Sequence, residues 1–339
     1  MSRFMLSCGT IVFLLSTTFG QNSAAEEYSL VRGLYWNKTE GPSLSIDKTG
    51  THASIAFIKS LGVGSVHIWL NDNEGPRTCD EKFDYHEQYW NPTTLRNFTR
   101  LLFDSGVRVV YVLTPKIQTH GFINSLMGKD GPVGIAAEFA SVDIEFDMEY
   151  NWTEKARDKL SKCETMSTET ASSLLITALK KTSPTSKVIV STTGKWMGEH
   201  EDIMKLCDII SPQLYEDRYA STPRSASSSL REFLQAYPNK SVIPALSIQC
   251  SEADKKNDNC SDNNFSQDEI LAASLHACNP EKYPSYTIWA ANELRQKCSG
   301  NGSASVCSYF GEKYLIDSSA TLPTSKCDTT LFGRAQAKQ

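Results

Sequence analysis

The segment "SVDIEFDMEYNW", residues 141–152, decides the fold. Its acidic residues, Asp143, Glu145, Asp147 and Glu149, occupy every second position and alternate with apolar ones. Because side chains alternate between the two faces of a β-strand, one face of this segment is all carboxylate and the other is apolar. A solvated edge strand would also alternate, but it does not explain four like charges in one row, since these repel. A strand that packs its apolar face on helices and points its acids along a barrel axis explains the pattern better.

The rest of the chain repeats short β-branched runs separated by amphipathic helical patterns, which is typical of parallel β/α units. Eight strands and their helices in about 290 residues predict a (β/α)8 TIM barrel, which usually takes about 250 residues or more. An open doubly wound sheet is the alternative, and it is disfavoured because no glycine-rich phosphate-binding turn follows any strand. The candidate strands are 30–36, 65–70, 107–113, 141–149, 187–192, 208–215, 241–248 and 286–289.

Composition places the chain among globular proteins. It has 339 residues, of which 40 % are hydrophobic and 22 % charged, and its formal net charge is −5. This mild acidity gives no concentrated basic face, so we expect no nucleic-acid partner.

The first 25 residues are typical of a secretory signal peptide. Arg3 precedes an apolar stretch, 4–19, and small residues then offer cleavage after Gly20 or Ala25. An N-terminal anchor helix is the alternative, but polar serines and threonines interrupt the run. No later run is long and apolar enough to span a membrane. We therefore expect a signal peptide at 1–25, a catalytic barrel at 26–317 and an irregular tail at 318–339, with no membrane contact after cleavage.

Cysteines and glycosylation sequons agree with export. Cys8 leaves with the signal peptide, and the nine remaining cysteines allow at most four disulfides. Short loops make Cys250–Cys260 and Cys298–Cys307 plausible pairs, whereas Cys207, within the apolar "KLCDII", is predicted to be free and buried. Cys327 is expected to tie down the tail. Sequons occur at Asn37, Asn97, Asn151, Asn239, Asn259, Asn264 and Asn301. We expect a monomer that is secreted or resides in the lumen of the secretory–endolysosomal pathway.

Crowding of the acidic row suggests its chemistry. Carboxylates in a partly dry interior do not all ionise easily, and a protonated acid beside an ionised partner is what glycosidic bond cleavage requires. Active sites of such barrels lie at the carboxyl ends of the strands. Glu149, the last acid, is therefore expected at the mouth, with Asp147 as its working partner and Asp143 and Glu145 deeper.

The acidic row also resembles a family signature. The fourth strand of the family 18 glycoside hydrolases, the chitinases and endo-β-N-acetylglucosaminidases, carries D-x-x-D-x-D-x-E. Here Glu145 stands where the family prefers Asp, Asp147 matches the next Asp, and Glu149 matches the general acid. The first Asp of the pattern falls on Val142. Tyr150, directly after the acid, is similar to the endo-β-N-acetylglucosaminidase branch.

Two further segments carry the resemblance. "SPQLYED", 211–217, resembles the sixth strand of the family, which implies that Gln213 and Tyr215 hold the acetamido group, with Glu216 where Asp or Asn is usual. "YTIWAANE" resembles the eighth strand, which implies that Trp289 forms the floor of the −1 sugar subsite. The family's S-x-G-G on the third strand is missing and "VLTPK", 112–116, stands in its place.

The resemblance implies substrate-assisted catalysis on glycans of β-linked N-acetylglucosamine. The sugar's acetamido oxygen would attack the anomeric carbon, Glu149 would act as general acid and base, Asp147 would stabilise the oxazolinium and Tyr215 would orient the acetamido oxygen. No metal or organic cofactor is expected. Two alternatives remain open: a catalytically silent chitinase-like lectin, and a hyaluronidase-like retaining glycosidase.

Tryptophans supply further candidates, because indole faces stack on sugar rings. Five of the six tryptophans fall at or just after the carboxyl end of a predicted strand, and Trp90 lies in the second loop. All six are therefore expected on the sugar-binding face, although core packing is the alternative for any one. Trp36, Trp69 and Trp196 are the additional substrate-binding candidates. His67 shares a strand face with Trp69 and either points inward or packs as a core histidine. Lys116 and Lys195 follow strands and are candidates for contact with an anionic sugar.

Overall fold

A computed structural model of the protein describes residues 31–36, 53–60, 62–71, 75–76, 78–86, 89–160, 162–214, 225–247, 263–289 and 325–332. The strands are β1 Val31–Trp36, β2 Ser65–Trp69, β3 Arg108–Leu113, β4 Val142–Asp147, β5 Val188–Thr192, β6 Ile209–Pro212, β7 Ser241–Val242, β8 Ala245–Ser247 and β9 Ser285–Trp289. The α-helices are α1 Ala53–Ser60, α2 Pro92–Asp104, α3 His120–Met127, α4 Pro132–Ala136, α5 Glu154–Lys159, α6 Thr168–Thr182, α7 Glu201–Leu206, α8 Ala226–Ala236 and α9 Asn263–Cys278. Short 3-10 turns cover Tyr150–Trp152 and Thr329–Phe332.

All nine strands of the described residues belong to one parallel sheet in the order β7-β6-β5-β4-β3-β2-β1-β9-β8. Consecutive strands pair side by side from β1 to β7, and β1 also pairs with β9, so the first and last strands are neighbours. Helices separate the strands along the chain. The predicted (β/α)8 barrel is therefore confirmed.

One barrel strand is interrupted, which explains why the sheet has nine segments rather than eight. β7 pairs with β6 and β8 pairs with β9, and only Ile243 and Pro244 separate the two segments. The amide of Leu214 donates to the carbonyl of Ala245 at 3.0 Å, and this bridge closes the barrel past the end of β6. Pro244 has no N–H to donate, so the ladder breaks at that residue. The continuous strand expected at 241–248 is thus divided.

The apolar core has two parts. The larger part fills the layer between the sheet and the helices and includes Val142, Ile144 and Phe146 of β4. Smaller clusters fill the barrel interior, one around Val110, Ile189, Ile209 and Ile243 and one around Tyr35 and Trp69. Inward and outward residues alternate along each strand, as the pleat requires.

Local sequence signals fix the helix ends. Asn91 caps α2 by accepting the amide of Thr94 at 2.9 Å, and Pro92 occupies the first helical turn. After α2 the chain turns into β3 through Gly106, whose φ of 77° suits glycine. Ser167 caps α6 in the same way as Asn91, through the amide of Thr170.

Two disulfides and one free thiol lie in the described part of the chain. Cys79 bonds to Cys163, and Cys278 bonds to Cys327, which confirms that Cys327 ties the tail to the barrel. Cys207 is free and buried, as predicted. The cysteines of the two predicted short loops, Cys250, Cys260, Cys298 and Cys307, lie outside the described residues, as does the predicted signal peptide. No helix among the described residues is long and apolar enough to cross a membrane.

Candidate active site

The acidic face of β4 points into the barrel. Val142, Ile144 and Phe146 are fully buried under the helices, so alternation directs the acids between them to the interior. Glu145 is 0 % exposed and Asp147 is 6 % exposed. Charged side chains are almost never buried so deeply without partners, and both of these acids have them.

Glu145 is held from the far side of the interior by β1 and β2. The hydroxyl of Tyr35 donates to its Oε1, and Nδ1 of His67 lies 2.6 Å from its Oε2. Gly33 makes room for this cluster, because a Cβ there would lie 2.7 Å from Oγ of Ser65 and 3.3 Å from Nε2 of His67. His67 therefore points inward as a partner of the acidic row.

Asp147 is held from the opposite direction, by β5 and β6. Its Oδ1 accepts a hydrogen bond of 2.6 Å from Nε2 of Gln213, and Oγ of Ser191 lies 3.5 Å from the same oxygen. Gln213 is itself buried. The two inner carboxylates thus have separate partners on different walls of the barrel.

Glu149 lies at the carboxyl end of β4. The amide of Met148 still bonds to the carbonyl of Ser191 at 2.8 Å, so the strand pairing runs one residue past Asp147. The backbone of Glu149 is extended, with φ −115° and ψ −163°, which keeps it in the inward phase of Asp147. Its side chain is partly exposed, and the 3-10 turn at Tyr150–Trp152 follows directly.

Asp143 lies at the opposite, amino end of the row. Its Oδ1 accepts the amide of Lys187 at 2.8 Å. Burial raises the pKa of this carboxyl above its ordinary value, and that hydrogen bond opposes the shift only in part. The raised pKa of Asp143 therefore comes from burial and not from repulsion by the neighbouring acids.

An aromatic cluster covers the side of the interior across from β4. Trp289 of β9 lies 4.8 Å, edge to face, from Trp69 of β2 and 5.3 Å from Tyr35 of β1, measured between ring centroids. Trp69 is nearly buried, whereas Trp289 is partly exposed. Since β9 and β4 are half a barrel apart in the strand order, the carboxyl end of β9, which carries Trp289, lies opposite the carboxyl end of β4, which Glu149 follows.

Three tryptophans are not on that face. Trp36 is 0 % exposed and packs 5.4 Å from the ring of Phe98 on α2, because Tyr35 points inward and alternation sends Trp36 outward. Trp90 and Trp152 also belong to the outer core, and the indole of Trp152 donates to Ser172. The expectation that Trp36 binds sugar, and that all six tryptophans share one face, is wrong.

Trp196 follows β5 and is partly exposed. Its ring centroid lies 5.9 Å from that of Tyr150, beside Glu149, and Nζ of Lys195 lies 4.6 Å from the centre of the indole. Lys116 is buried and pairs with Asp84 at 3.0 Å, so its charge is balanced within the protein. Lys116 is therefore no candidate for an anionic sugar.

Two predicted site residues cannot be located, and one residue of the site was not predicted from the sequence. Tyr215 and Glu216 fall outside the described residues. Tyr35 was not predicted, although its position two residues after Gly33 on a predicted strand gives it the inward phase. Within the described residues, no group of three or more His, Cys, Asp or Glu side chains is arranged to hold a metal ion.

Comparison with known proteins gives structural neighbours only. No protein-family model and no curated protein sequence matches the chain. A family 18 chitinase from Crocus vernus superposes with a TM-score of 0.47 and 11 % identity, over 78 % of this chain and 94 % of the chitinase. The endo-β-1,4-glucanase of Xanthomonas axonopodis pv. citri gives 0.48 and 10 %, over 77 % and 88 % of the two chains. The exo-β-1,4-mannosidase Op5Man5 from Opitutaceae bacterium strain TAV5 gives 0.47 and 11 %, over 77 % of this chain but only 52 % of the mannosidase.

Proposed function

We propose that this protein is a secreted glycoside hydrolase that cleaves glycans of β-linked N-acetylglucosamine. The observation that carries the proposal is the inward row of acids on β4, in which Asp147 is fixed by Gln213 and Glu149 follows at the mouth. Trp289 lies across the mouth from this pair, so a sugar ring between them would have an aromatic face on one side and carboxyl groups on the other. The two disulfides are consistent with passage through an oxidising compartment.

The proposed mechanism is retaining and substrate-assisted. The oxygen of the sugar's 2-acetamido group attacks the anomeric carbon while the bond to the leaving oxygen breaks, and Glu149 donates its proton to that oxygen. Asp147 accepts the acetamido N–H and stabilises the positive charge of the oxazolinium. Water then attacks the anomeric carbon while the bond from that carbon to the acetamido oxygen breaks. The water gives a proton to Glu149, so both the acid and the acetamido group are regenerated with net retention.

The hydrogen bond from Gln213 supports the role of Asp147. A carboxylate that stabilises a developing cation acts best when its orientation is fixed before the reaction. The Gln213 amide and the Ser191 hydroxyl both donate to Oδ1 of Asp147, which restricts rotation of the carboxylate. Tyr215, the residue proposed to orient the acetamido oxygen, lies two positions after Gln213 in the sequence.

The proposal is tested with purified protein, chitooligosaccharides and a high-mannose glycopeptide. Glu149→Gln should reduce kcat by about 10²- to 10⁴-fold, the usual contribution of a general acid, while sugar binding stays measurable. Glu281→Gln, at an exposed turn position, is the matched control and should leave kcat unchanged. Cleavage by Glu149→Gln at the wild-type rate would contradict the assignment.

Substrate assistance is tested separately. A substrate whose 2-acetamido group is replaced by a hydroxyl lacks the internal nucleophile and should not be cleaved. If it is cleaved as fast as the acetamido substrate, the acetamido oxygen is not the nucleophile, and the substrate-assisted mechanism is contradicted.

A silent chitinase-like lectin is the second candidate, and it is favoured by one observation. "VLTPK", 112–116, replaces the S-x-G-G segment of the family that the chain resembles. A lectin would bind chitooligosaccharides without releasing products, and Glu149→Gln would then change neither result.

A further inference from the structure

We infer that Thr114 is a positioning residue that fixes the indole of Trp69 as part of the sugar-binding wall. The inference rests on the proposed function for the identity of the ligand. Thr114 lies within the segment 112–116 that departs from the family pattern. Its position is nevertheless well defined, since only 1 % of the residue is exposed.

The backbone of Thr114 is locked to β2 by one side chain. Trp69 is paired with Val112 in the register of β2 and β3, so Asn71 and Thr114 are the next facing pair beyond the strand ends. There the amide of Asn71 replaces the ladder: its Nδ2 donates to the carbonyl of Thr114 at 2.9 Å, and its Oδ1 accepts the N–H of Thr114 at 2.9 Å. Asn71 is 1 % exposed, and a buried amide with both groups engaged holds its partner in one orientation.

The hydroxyl of Thr114 is thereby aimed at Trp69. Nε1 of the indole donates to Oγ1 of Thr114 at 3.2 Å. The indole has a single donor, and its hydrogen bond to Thr114 adds a directional constraint to the apolar packing around Trp69. The result is the edge-to-face contact of Trp69 with Trp289, at 4.8 Å between centroids.

This contact couples the segment 112–116 to the proposed sugar site. Trp289 lies on β9, on the opposite side of the barrel from β4. Trp69 packs against one side of the Trp289 ring. Loss of the Thr114 hydroxyl would release the indole of Trp69, and the face that Trp289 presents to a sugar would become less defined. The chemistry at Glu149 would not be touched directly.

The test compares Thr114→Val, which keeps the side-chain shape but removes the acceptor, with Thr114→Ser, which keeps the hydroxyl. Thr99→Val is the matched control, because Thr99 is fully buried and its hydroxyl bonds to that of Tyr111 at 2.7 Å in the outer layer of the barrel. Three quantities are measured: stability, affinity for chitotetraose, and the near-ultraviolet circular dichroism of the coupled indoles. Trp69→Phe identifies the part of that spectrum that comes from Trp69.

Thr114→Val should weaken chitotetraose binding about threefold to tenfold, the range set by one lost hydrogen bond, with KM affected more than kcat. It should also reduce the Trp69 part of the spectrum, and Thr114→Ser should restore both. Thr99→Val should lower stability alone. If Thr114→Val matches Thr99→Val in spectrum and affinity, Thr114 is merely structural and the inference is overturned.

Failure of the proposed function gives a different result. If the wild-type protein neither binds nor cleaves chitotetraose, the ligand is wrong, but the spectrum still decides whether Thr114 positions Trp69. An unchanged indole spectrum in Thr114→Val overturns the inference whether or not the enzyme is active.

Discussion

Gln213, the residue that follows β6, donates its side-chain N–H to Oδ1 of Asp147 on β4 at 2.6 Å, inside the barrel. The two residues are 66 positions apart in sequence, and both are buried. A buried carboxylate needs hydrogen bonds to remain in place, so this amide contributes both to stability and to the orientation of Asp147. Gln213 therefore orients the carboxylate that is proposed to stabilise the oxazolinium.

Gln213→Leu should lower kcat by about tenfold to 100-fold, because small misplacements of a catalytic group have effects of this size. It should also reduce the free energy of unfolding by about 1–3 kcal/mol, since Asp147 loses a partner. Steady-state kinetics and urea unfolding measure the two effects. Gln267→Leu, at an exposed position of α9, serves as the control. A Gln213→Leu enzyme with wild-type kcat would show that Asp147 does not depend on this bond.

Glu145 contributes mainly to stability, because its buried carboxylate contacts both Tyr35 and His67. Glu145→Ala removes the carboxylate that both Tyr35 and His67 contact in the buried interior, so we expect a loss of about 3–5 kcal/mol. Glu145→Gln keeps the volume and one acceptor and should cost about 1–3 kcal/mol.

The matched control for Glu145 is an exposed pair. Glu201 and Lys205 are bonded at 2.7 Å on the surface of α7, and both are more than half exposed. Glu201→Ala should change stability by about 0–1 kcal/mol. Equal effects of Glu145→Ala and Glu201→Ala in chemical denaturation would mean that the interior cluster contributes little.

The strands and the acidic row were predictable because their signals are local. Short β-branched runs such as Val188–Thr192 and the alternation in β4 depend only on neighbouring residues. Whether an aromatic side chain at a strand end points into the barrel or towards the helices depends on which of the alternating positions it occupies. The prediction for Trp36 was wrong because its neighbour Tyr35 occupies the inward position. The contact of Thr114 with Trp69 joins two strands in a register that no local pattern specifies.

The disulfide Cys79–Cys163 joins the loop after β2 to the segment between α5 and α6, on the side of the barrel that carries the proposed site. It spans 84 residues, so its removal with Cys79→Ser and Cys163→Ser should destabilise the protein by about 4.5 kcal/mol in the chain-entropy model. Because these segments flank the mouth, KM for chitooligosaccharides should rise as well.

The disulfide Cys278–Cys327 provides the comparison. It spans 49 residues and begins at the last residue of α9, which lies at the amino ends of the strands, away from the mouth. Its removal should destabilise by a similar amount, about 4 kcal/mol, without a change in KM. Thermal unfolding and kinetics of the two double variants decide the matter. A rise in KM for both would assign the effect to general loosening of the barrel.

His200 gives the protein a pH dependence of stability. Burial lowers the pKa of His200 from its ordinary 6.5 to about 4, and the nearby carbonyl of Met148 opposes this only in part. Between pH 6.5 and 4 the unfolded chain binds a proton at this site that the folded protein does not bind. Stability is therefore complete above pH 6.5 and falls as the pH is lowered towards 4, by about 3 kcal/mol in total. His200→Phe, which does not titrate, should remove this component.

The measurement is the free energy of unfolding at a series of pH values from 4 to 8. Other groups titrate in the same range, so the difference between the wild type and His200→Phe isolates the histidine. His120→Gln, at an exposed position at the start of α3, is the control and should retain the wild-type slope. If wild type and His200→Phe lose stability in parallel from pH 6.5 to 4, His200 is protonated in the folded protein and the pocket is more polar than its burial implies.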